Sequence, residues 1–589
     1  MTPSDVRRLP FDKEAVNVWA SEDKRHGNWP VVYVLDNENA PRSERLRKSI
    51  VSDVYVGESR NAVTRMHQHL DTYAKKHLST IRVIVDETYN KSVCLDLESH
   101  LIRLLAGDGS YQVLNRNDGI TESDYFERAR YRAGFKDVFE KLRKDGIFSR
   151  SIPEIENSDL FKLSPFKALT TDQGAAVEEI LEGLFADLES GVPSTIAIQG
   201  EPGTGKTVVA IYILKLLADI AQGRPLDEVD SDSMFAEFFS PGYPELLSGL
   251  RIAMVIPQQS LRVSVSRVFA KTPGLSADMV MSAFEVGEST EKFDLLVVDE
   301  AHRLNRRANQ PSAGQNTRFR EITERLFGTD DTSKTQLDWL KRQSHHQIFL
   351  VDAAQSVRPA DIPGAHLTDL LATSKLQRRY YPLTTQMRVK AGSDYVAFIR
   401  QVLDPNLTGV TSSSDSFSGY DLRMFDDLAE MRKAIFVRDK EHGLSRLLAG
   451  FAWKWASKSD KAAFDIEIDG VHLRWNSTQV DWIASPGSLS EVGSIHTVQG
   501  YDLNYAGVII GPDLRFDSGS RRLIFDRKSY ADTKGKENNK ALATKFTDED
   551  LLQYVVNIYA VLLTRGIRGT YVYVVDPELR AFLSNYFPK

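Results

Sequence analysis

The 589-residue chain has a single cysteine, Cys94. Intramolecular disulfides are therefore excluded, and so is any zinc site built from cysteine pairs within the chain. Long apolar runs are missing too: none approaches the roughly 18 residues of a membrane-spanning helix. The opening Met-Thr-Pro-Ser-Asp-Val-Arg-Arg lacks the apolar core of a secretory signal. These absences predict a cytoplasmic protein without membrane contact. There is no excess of positive charge either. With 74 Lys+Arg against 81 Asp+Glu the net charge is −7, so nucleic-acid binding has to come from local patches. What is present is ordinary globular material, 42% hydrophobic and 26% charged. The length allows three or four domains at about 150 residues each.

One stretch is far from ordinary. The apolar run Ile196–Ile198 reads as a buried strand and leads into Gly200-Glu-Pro-Gly203-Thr-Gly205-Lys206-Thr207. An apolar helical pattern follows from Val208 to Leu217. This is G-x-x-x-x-G-K-[ST] in its strand–loop–helix setting. Glycines let backbone N–H groups wrap a polyphosphate, and the helix N-terminus adds its positive end. Lys206 can reach the β- and γ-phosphates, and Thr207 can ligate Mg²⁺. ATP with Mg²⁺ is the expected cofactor pair.

Downstream, Phe293–Val298 reads as a buried strand ending in Asp299-Glu300-Ala301-His302. A carboxylate at such a strand end can hold Mg²⁺ while its neighbour orients the attacking water. Those are the roles expected of Asp299 and Glu300. Upstream, Gln173 opens a helix, and its amide, both donor and acceptor, can read adenine. The strand Ile252–Ile256 precedes Pro257-Gln-Gln-Ser-Leu261, and the strand Gln347–Val351 precedes Asp352-Ala-Ala-Gln355. Residues 303–320 are locally basic and read either as a loop facing nucleic acid or as a solvated insertion. Residues 404–480 look irregular and hold Trp453, Trp455 and Trp475, with Trp482 just beyond, all better placed in a core than as base-stacking platforms. Residues 513–549 read as a charged, mobile insertion.

These segments resemble helicase motifs in their proper order. Gln173 looks like the Q motif, Pro257–Leu261 like motif Ia, and Asp352–Gln355 like motif III of superfamily 1. Leu383-Thr-Thr-Gln386-Met-Arg388 looks like motif IV, and Ile495-His-Thr-Val-Gln499-Gly500 like motif V. Leu563-Thr-Arg565-Gly-Ile-Arg568 looks like motif VI. The resemblance implies that Gln355 senses the γ-phosphate and that Gln499 links strand contact to ATP. It also implies that Arg388 and the finger Arg565 reach the triphosphate from a second domain, with Arg568 either a helper or simply a surface charge. The details are similar to the bacterial Schlafen-like helicases, in which an N-terminal GIY-YIG fusion is familiar.

The N-terminal region carries its own pattern. Trp29–Leu35, Val51–Gly57 and Ile81–Val85 read as strands, with a polar excursion over Asp36–Lys48. Helices are expected after Gly57, with Arg65 and His69 on one face, and over Ser92–Leu105, carrying Glu98. The order Tyr33, Tyr55-Val-Gly57, Arg65, Glu98, Asn115 resembles the GIY-YIG nuclease family, although the first triplet is Val-Val-Tyr. That likeness implies that Glu98 holds a divalent metal and Arg65 stabilises the transition state. Tyr33 or Tyr55 would activate water, with His69 a further proton carrier. A metal-held carboxylate and a fork-shaped Arg also suit phosphodiester cleavage on chemical grounds.

The expectation is thus an α/β chain: two RecA-like P-loop domains with parallel sheets and a small N-terminal GIY-YIG-type α/β domain. The boundaries are 1–120 for the nuclease-like module, 121–162 for a connector, 163–380 and 381–589 for the two motor domains. The expected function is an ATP-dependent helicase or translocase with a metal-dependent endonuclease, acting on nucleic acid, DNA foremost. Repair, restriction or anti-phage defence is the setting. An ATP-switched binding protein with an inactive nuclease fold and an RNA-directed motor are the alternatives.

Overall fold

The computed structural model describes residues 4–37, 52–72, 75–115, 124–223, 234–307, 310, 312–352, 359–386, 393–405, 417, 419–478, 482–498, 501–533, 535, 536, 538 and 545–589. Gln355, Arg388 and Gln499, and most of the excursion after Asp36, lie outside them. The chain forms two compact units. One is Met1–Glu178, Ile211–Ser248 and Val265–Ala277, and the other is Glu179–Ala210, Gly249–Ser264 and Asp278–Lys589. Among the described residues no helix is long and apolar enough to cross a membrane.

The first unit is built on a five-stranded sheet. Its order is Asp5–Pro10, Thr80–Val85, Val31–Asp36, Ser52–Ser59, Tyr111–Val113. All neighbours are antiparallel except the last pair. Val31–Asp36 is buried at every position, which is why it reads as an unbroken apolar run. The helix Lys91–Asp108 is capped by the Asn90 side chain, which accepts from Val93 N–H, and is closed by Gly109 at φ 70°. It buries Leu97, Leu101 and Leu105 against Val32, Val34 and Val56, while Phe135, Val138 and Phe139 of the helix Arg128–Lys144 close the same core. Asp108 then accepts from the Ser149 and Arg150 backbone N–H groups at 2.9 and 3.0 Å. The connector is thereby ordered.

One charge pair is wholly inside this unit. Arg82 Nη1 donates to Asp36 Oδ1 at 2.7 Å, both residues being fully buried. Arg82→Ala takes the guanidinium away from a buried carboxylate and is expected to cost about 3–5 kcal/mol. Urea unfolding monitored on Trp29 and its neighbours measures it, and a loss under 1 kcal/mol would show the pair to be dispensable.

The second unit holds two parallel sheets. The first runs Tyr380–Leu383, Ser194–Gly200, Ser344–Val351, Phe293–Val298, Ile252–Val255, Val280–Met281. The second runs Asp421–Phe425, Gly566–Val574, Leu503–Ile510, Ser445–Ala449, Val492–Ser494. Every neighbouring pair in both is parallel. Such sheets carry their ligand-binding loops at the carboxyl ends of the strands. Gly200, Asp299 and Asp352 all stand at such ends.

Four expectations are corrected here. The helix expected straight after Gly57 begins only at Ala62, because the strand continues to Ser59 and Asn61 caps the helix. The described part of residues 404–480 is not irregular. A strand over Asp421–Phe425 leads into the helix Leu428–His442, whose start Asp427 caps by accepting from Ala429 and Glu430 N–H, and a second strand follows. The basic stretch 303–320 is not an open loop. Arg318 and Arg320 lie on the helix Ala313–Phe327, Arg318 pairs with Glu288, Arg307 pairs with Asp330, and buried Arg303 reaches Asp361 at 3.3 Å. These side chains are spent on carboxylates. The charged stretch after Pro512 contains a hairpin, Leu514–Asp517 with Arg522–Phe525, that buries Leu514 and Leu523. Trp475 and Trp482 are core residues, as expected.

Candidate functional site

The phosphate loop is shaped by its glycines. Gly203 and Gly205 have φ of 89° and 77°, where a side chain is strained. A Cβ on Gly200 would collide with Thr204 Oγ1 and fall 3.2 Å from the Leu383 carbonyl oxygen. The helix Lys206–Ala221 leaves directly from the loop. Lys206 is buried and folds over the loop, donating to the Gly200 and Glu201 carbonyls at 2.6 and 2.9 Å. Its Nζ also lies 3.7 Å from Asp352. An incoming phosphate can replace those carbonyl partners without moving the ammonium far. Gln386 Nε2 donates to the Pro202 carbonyl at 2.7 Å, so its segment lies against the loop.

Opposite the loop, Thr207 Oγ1 donates to Asp299 Oδ2 at 2.7 Å. These are two oxygens of the kind Mg²⁺ takes beside a nucleotide. Asp299 Oδ1 accepts from Glu300 N–H at 2.9 Å, so the carboxylate is locked. Glu300 sits at φ 48°, ψ 43°, the left-handed region, which is uncommon for a non-glycine residue. Its Oε2 is 2.8 Å from His302 Nε2. His302 Nδ1 accepts from the Asp352 backbone N–H at 3.3 Å, so the ring proton belongs on Nε2, facing Glu300.

Electrostatics separate the two acids. Burial raises the Asp299 carboxyl above the usual range, and the adjacent Glu300 charge adds to that. Burial pushes Glu300 up as well, but His302, Lys206 and Arg565 outweigh it and hold Glu300 ionised. Arg565 thus acts on Glu300 although 265 positions separate them (565 − 300). It is only 2% exposed, and its Nη1 donates to the Tyr501 carbonyl at 3.4 Å.

The sequence reading missed His302 and Asp352. Both stand beside predicted residues, in Asp-Glu-Ala-His and at a strand end, and that placement was the available signal. Gln173 is found at the start of the helix Thr171–Ser190, in the first unit, with its amide oxygen accepting from Thr170 N–H at 3.1 Å.

A second cluster lies in the first unit. Tyr33 Oη and His69 Nε2 are 2.8 Å apart, and Lys75 Nζ lies 3.0 Å from His69 Nδ1. An ammonium only donates, so Nδ1 is the acceptor and Nε2–H points to the Tyr33 oxygen. Lys75 also sits 3.7 Å over the Tyr55 ring, whose centroid is 5.1 Å from that of His69. Gly57 is required by this packing: its Cβ would stand 2.5 Å from Tyr33 Cζ. Burial drives the Tyr33 hydroxyl well above its ordinary pKa, with Arg65 and Glu98 both acting on it in opposite senses. Burial, then Lys75 and Arg65, lowers His69 to about 3. Asn115 clamps the Val56 backbone from both sides, accepting from its N–H at 3.0 Å and donating to its carbonyl at 2.7 Å. Tyr33, Tyr55, Arg65, His69 and Glu98 therefore share one neighbourhood. Lys75 carried no signal in the sequence.

A family model described as "Schlafen group 3, DNA/RNA helicase domain" matches residues 193–576. The uncharacterized protein YPL245W of Saccharomyces cerevisiae is 25% identical over 460 residues, covering 73% of this chain and 93% of that protein. Among solved structures, the arterivirus nonstructural protein 10 helicase aligns at 12% identity and a TM-score of 0.25, over 68% of this chain and 63% of that one. The Pif1 helicase from Bacteroides in complex with ADP-AlF3 and ssDNA aligns at 9% identity and 0.23, over 67% and 91%. The family match contains the phosphate loop, Asp299, Glu300, His302, Asp352, Tyr501 and Arg565 within one stretch, and the chain belongs to the Schlafen group 3 DNA/RNA helicase family.

Proposed function

We propose that this protein is an ATP-driven nucleic-acid motor that carries a metal-dependent endonuclease at its N-terminal end. The convergence of Lys206, Thr207, Asp299, Glu300 and Arg565 on one site supports the motor reading most directly. Gly203 and Gly205, at positive φ, let the loop turn its backbone N–H groups toward a triphosphate, and Lys206 would bind its β- and γ-phosphates. Thr207 and Asp299 would hold Mg²⁺, whose part is to neutralise charge on the transferring phosphoryl group. Glu300, kept ionised and fixed beside His302, orients the attacking water. Arg565 approaches from the far side and stabilises the charge that develops. Gln355, Arg388 and Gln499 are assigned by the resemblance alone, and Gln173 is proposed for the adenine.

In the N-terminal cluster, Glu98 would hold the divalent metal and Arg65 would stabilise the phosphorane-like state. Tyr33 or Tyr55 would position the water, with His69 orienting Tyr33. The proposed setting is cytoplasmic DNA repair, restriction or defence against phage. A second reading has one observation in its favour: Tyr33 is fully buried and hard to deprotonate. In that reading the N-terminal module binds nucleic acid without cutting it.

The motor proposal is tested by ATPase rates with single-stranded DNA, duplex DNA and RNA. Single-stranded DNA is expected to give the largest stimulation. Equal stimulation by RNA overturns the DNA assignment, and no stimulation by any of the three overturns the motor.

A further inference from the structure

Within the second unit, a cavity of about 480 Å³ opens between two helices and takes part in none of the roles assigned above. Along the helix Ser393–Val402 and the turn after it, Val396, Ile399, Arg400 and Leu403 follow the i, i+3, i+4, i+7 spacing of one face. Gln553, Val556, Asn557 and Ala560 repeat that spacing along the helix Asp548–Leu563. The two faces line the cavity, and buried Pro202 of the phosphate loop lines it as well. Its size falls in the range of small-molecule pockets, about 300–1,000 Å³. Val396, Ile399, Leu403 and Val556, each 6% exposed or less, give it apolar walls against which a flat ring can lie.

Two charges on one wall define what fits. Arg400 is half-buried, and among the described residues it makes no hydrogen bond, ion pair or ring contact. Asp404 follows one turn later and lines the same cavity. A guanidinium and a carboxylate thus stand side by side without being spent on each other. Their sum is neutral, so a bare anion is poorly served: whatever Arg400 attracts, Asp404 repels. A neutral ring that offers acceptors to one and donors to the other satisfies both. Guanine does so with two adjoining edges. Its O6 and N7 take the two prongs of the guanidinium, and its N1–H and amino group donate to the carboxylate. A carboxylate has about four lone-pair sites, so Asp404 can take both donors beside a bond it already makes. Adenine frustrates both forks, with an amino group at position 6 and no proton on N1.

We propose that this cavity binds the guanine base of a second nucleotide, read by Arg400 and Asp404. That the nucleotide is a second one rests on the motor reading above. Thr564 lines the cavity and precedes Arg565, which in that reading meets the terminal phosphate, whereas the base of the fuel nucleotide lies at the other end of its triphosphate. The test is equilibrium binding of GMP, which lacks the β- and γ-phosphates assigned to Lys206. It is done on the full chain with the phosphate loop saturated by a non-hydrolysable ATP analogue. GMP is expected to bind about tenfold or more tighter than AMP, and Arg400→Ala to weaken GMP by about tenfold. Asp404→Asn exchanges one acceptor for a donor. It is expected to lose GMP and to gain XMP, whose C2 carbonyl replaces the amino group of guanine. Undiminished binding of the ATP analogue shows that each variant is folded. No GMP binding, equal affinity for GMP and AMP, or an Asp404→Asn protein that still prefers GMP to XMP overturns the guanine site and leaves the motor reading standing. Displacement of GMP by the ATP analogue overturns the second nucleotide. Failure of the motor reading shows separately, as binding of the analogue that survives Lys206→Ala.

Discussion

Arg565→Ala is expected to lower ATP turnover by about 10³-fold or more, the loss seen when a finger arginine is withdrawn from related NTPases. The argument starts from burial. Arg565 is 2% exposed, and a guanidinium is not kept out of water unless its charge has a counterpart. Its counterpart includes ionised Glu300. In the proposed motor the phosphoryl group would bring more negative charge to the same place, and a preorganised arginine would meet it without solvent rearrangement. A 10³-fold loss corresponds to about 4 kcal/mol of transition-state stabilisation. Arg565→Lys should recover little of it, since a point charge on a flexible stem does not reproduce the fork. Steady-state ATPase assays measure the rate, and binding of a fluorescent ATP analogue separates turnover from affinity. The analogue should still bind Arg565→Ala within about tenfold, whereas Lys206→Ala should lose binding and turnover together. Turnover of Arg565→Ala above a tenth of wild type would remove the finger from the mechanism.

How much of this was legible follows from what each feature depends on. The phosphate loop and the strand ends at Asp299 and Asp352 are local patterns, each a few residues long with its own strand before it. Apolar runs such as Phe293–Val298 mark fully buried parallel strands, and they were readable for that reason. The basic stretch 303–320 was not, because the partners that neutralise Arg303, Arg307 and Arg318 are Asp361, Asp330 and Glu288. Those partners lie 58, 23 and 30 positions away (361 − 303, 330 − 307 and 318 − 288), and charge along the chain does not reveal pairing through space. Residues 404–480 were misread for a related reason. The helix Leu428–His442 buries only Leu428, Met431 and Ile435, too thin a stripe to stand out among charged neighbours. Tyr501, whose Oη lies 2.9 Å from Ser264 Oγ, illustrates the same limit from the other side. Nothing near it in the sequence indicates Ser264, 237 positions earlier.

In the N-terminal cluster, Glu98→Ala is expected to abolish metal-dependent cleavage, by about 10³-fold or more, while leaving the ATPase intact. Removing the carboxylate removes the group proposed to hold the metal, and with it several kcal/mol of charge stabilisation. The two tyrosines should then differ. Tyr33 is fully buried, and its oxygen accepts from His69 Nε2–H because Lys75 occupies Nδ1. Its own proton is therefore not given to His69. Tyr33→Phe should cost about 10²-fold or more in cleavage, and Tyr55→Phe less if Tyr55 serves mainly as the face on which Lys75 rests. His69 is held neutral, its pKa lowered to about 3, so the cleavage rate should show no step from this residue near its ordinary value of about 6.5. Gly57→Ala is a structural control: it drives a methyl into Tyr33 and should lose cleavage together with the native Tyr33 environment. The assay is nicking of supercoiled plasmid with Mg²⁺ or Mn²⁺, with and without ATP. If the wild-type protein cuts no faster than Glu98→Ala under any of these conditions, the cluster is a binding site and the fully buried Tyr33 is the reason: a phenol so far from water holds its proton and activates nothing.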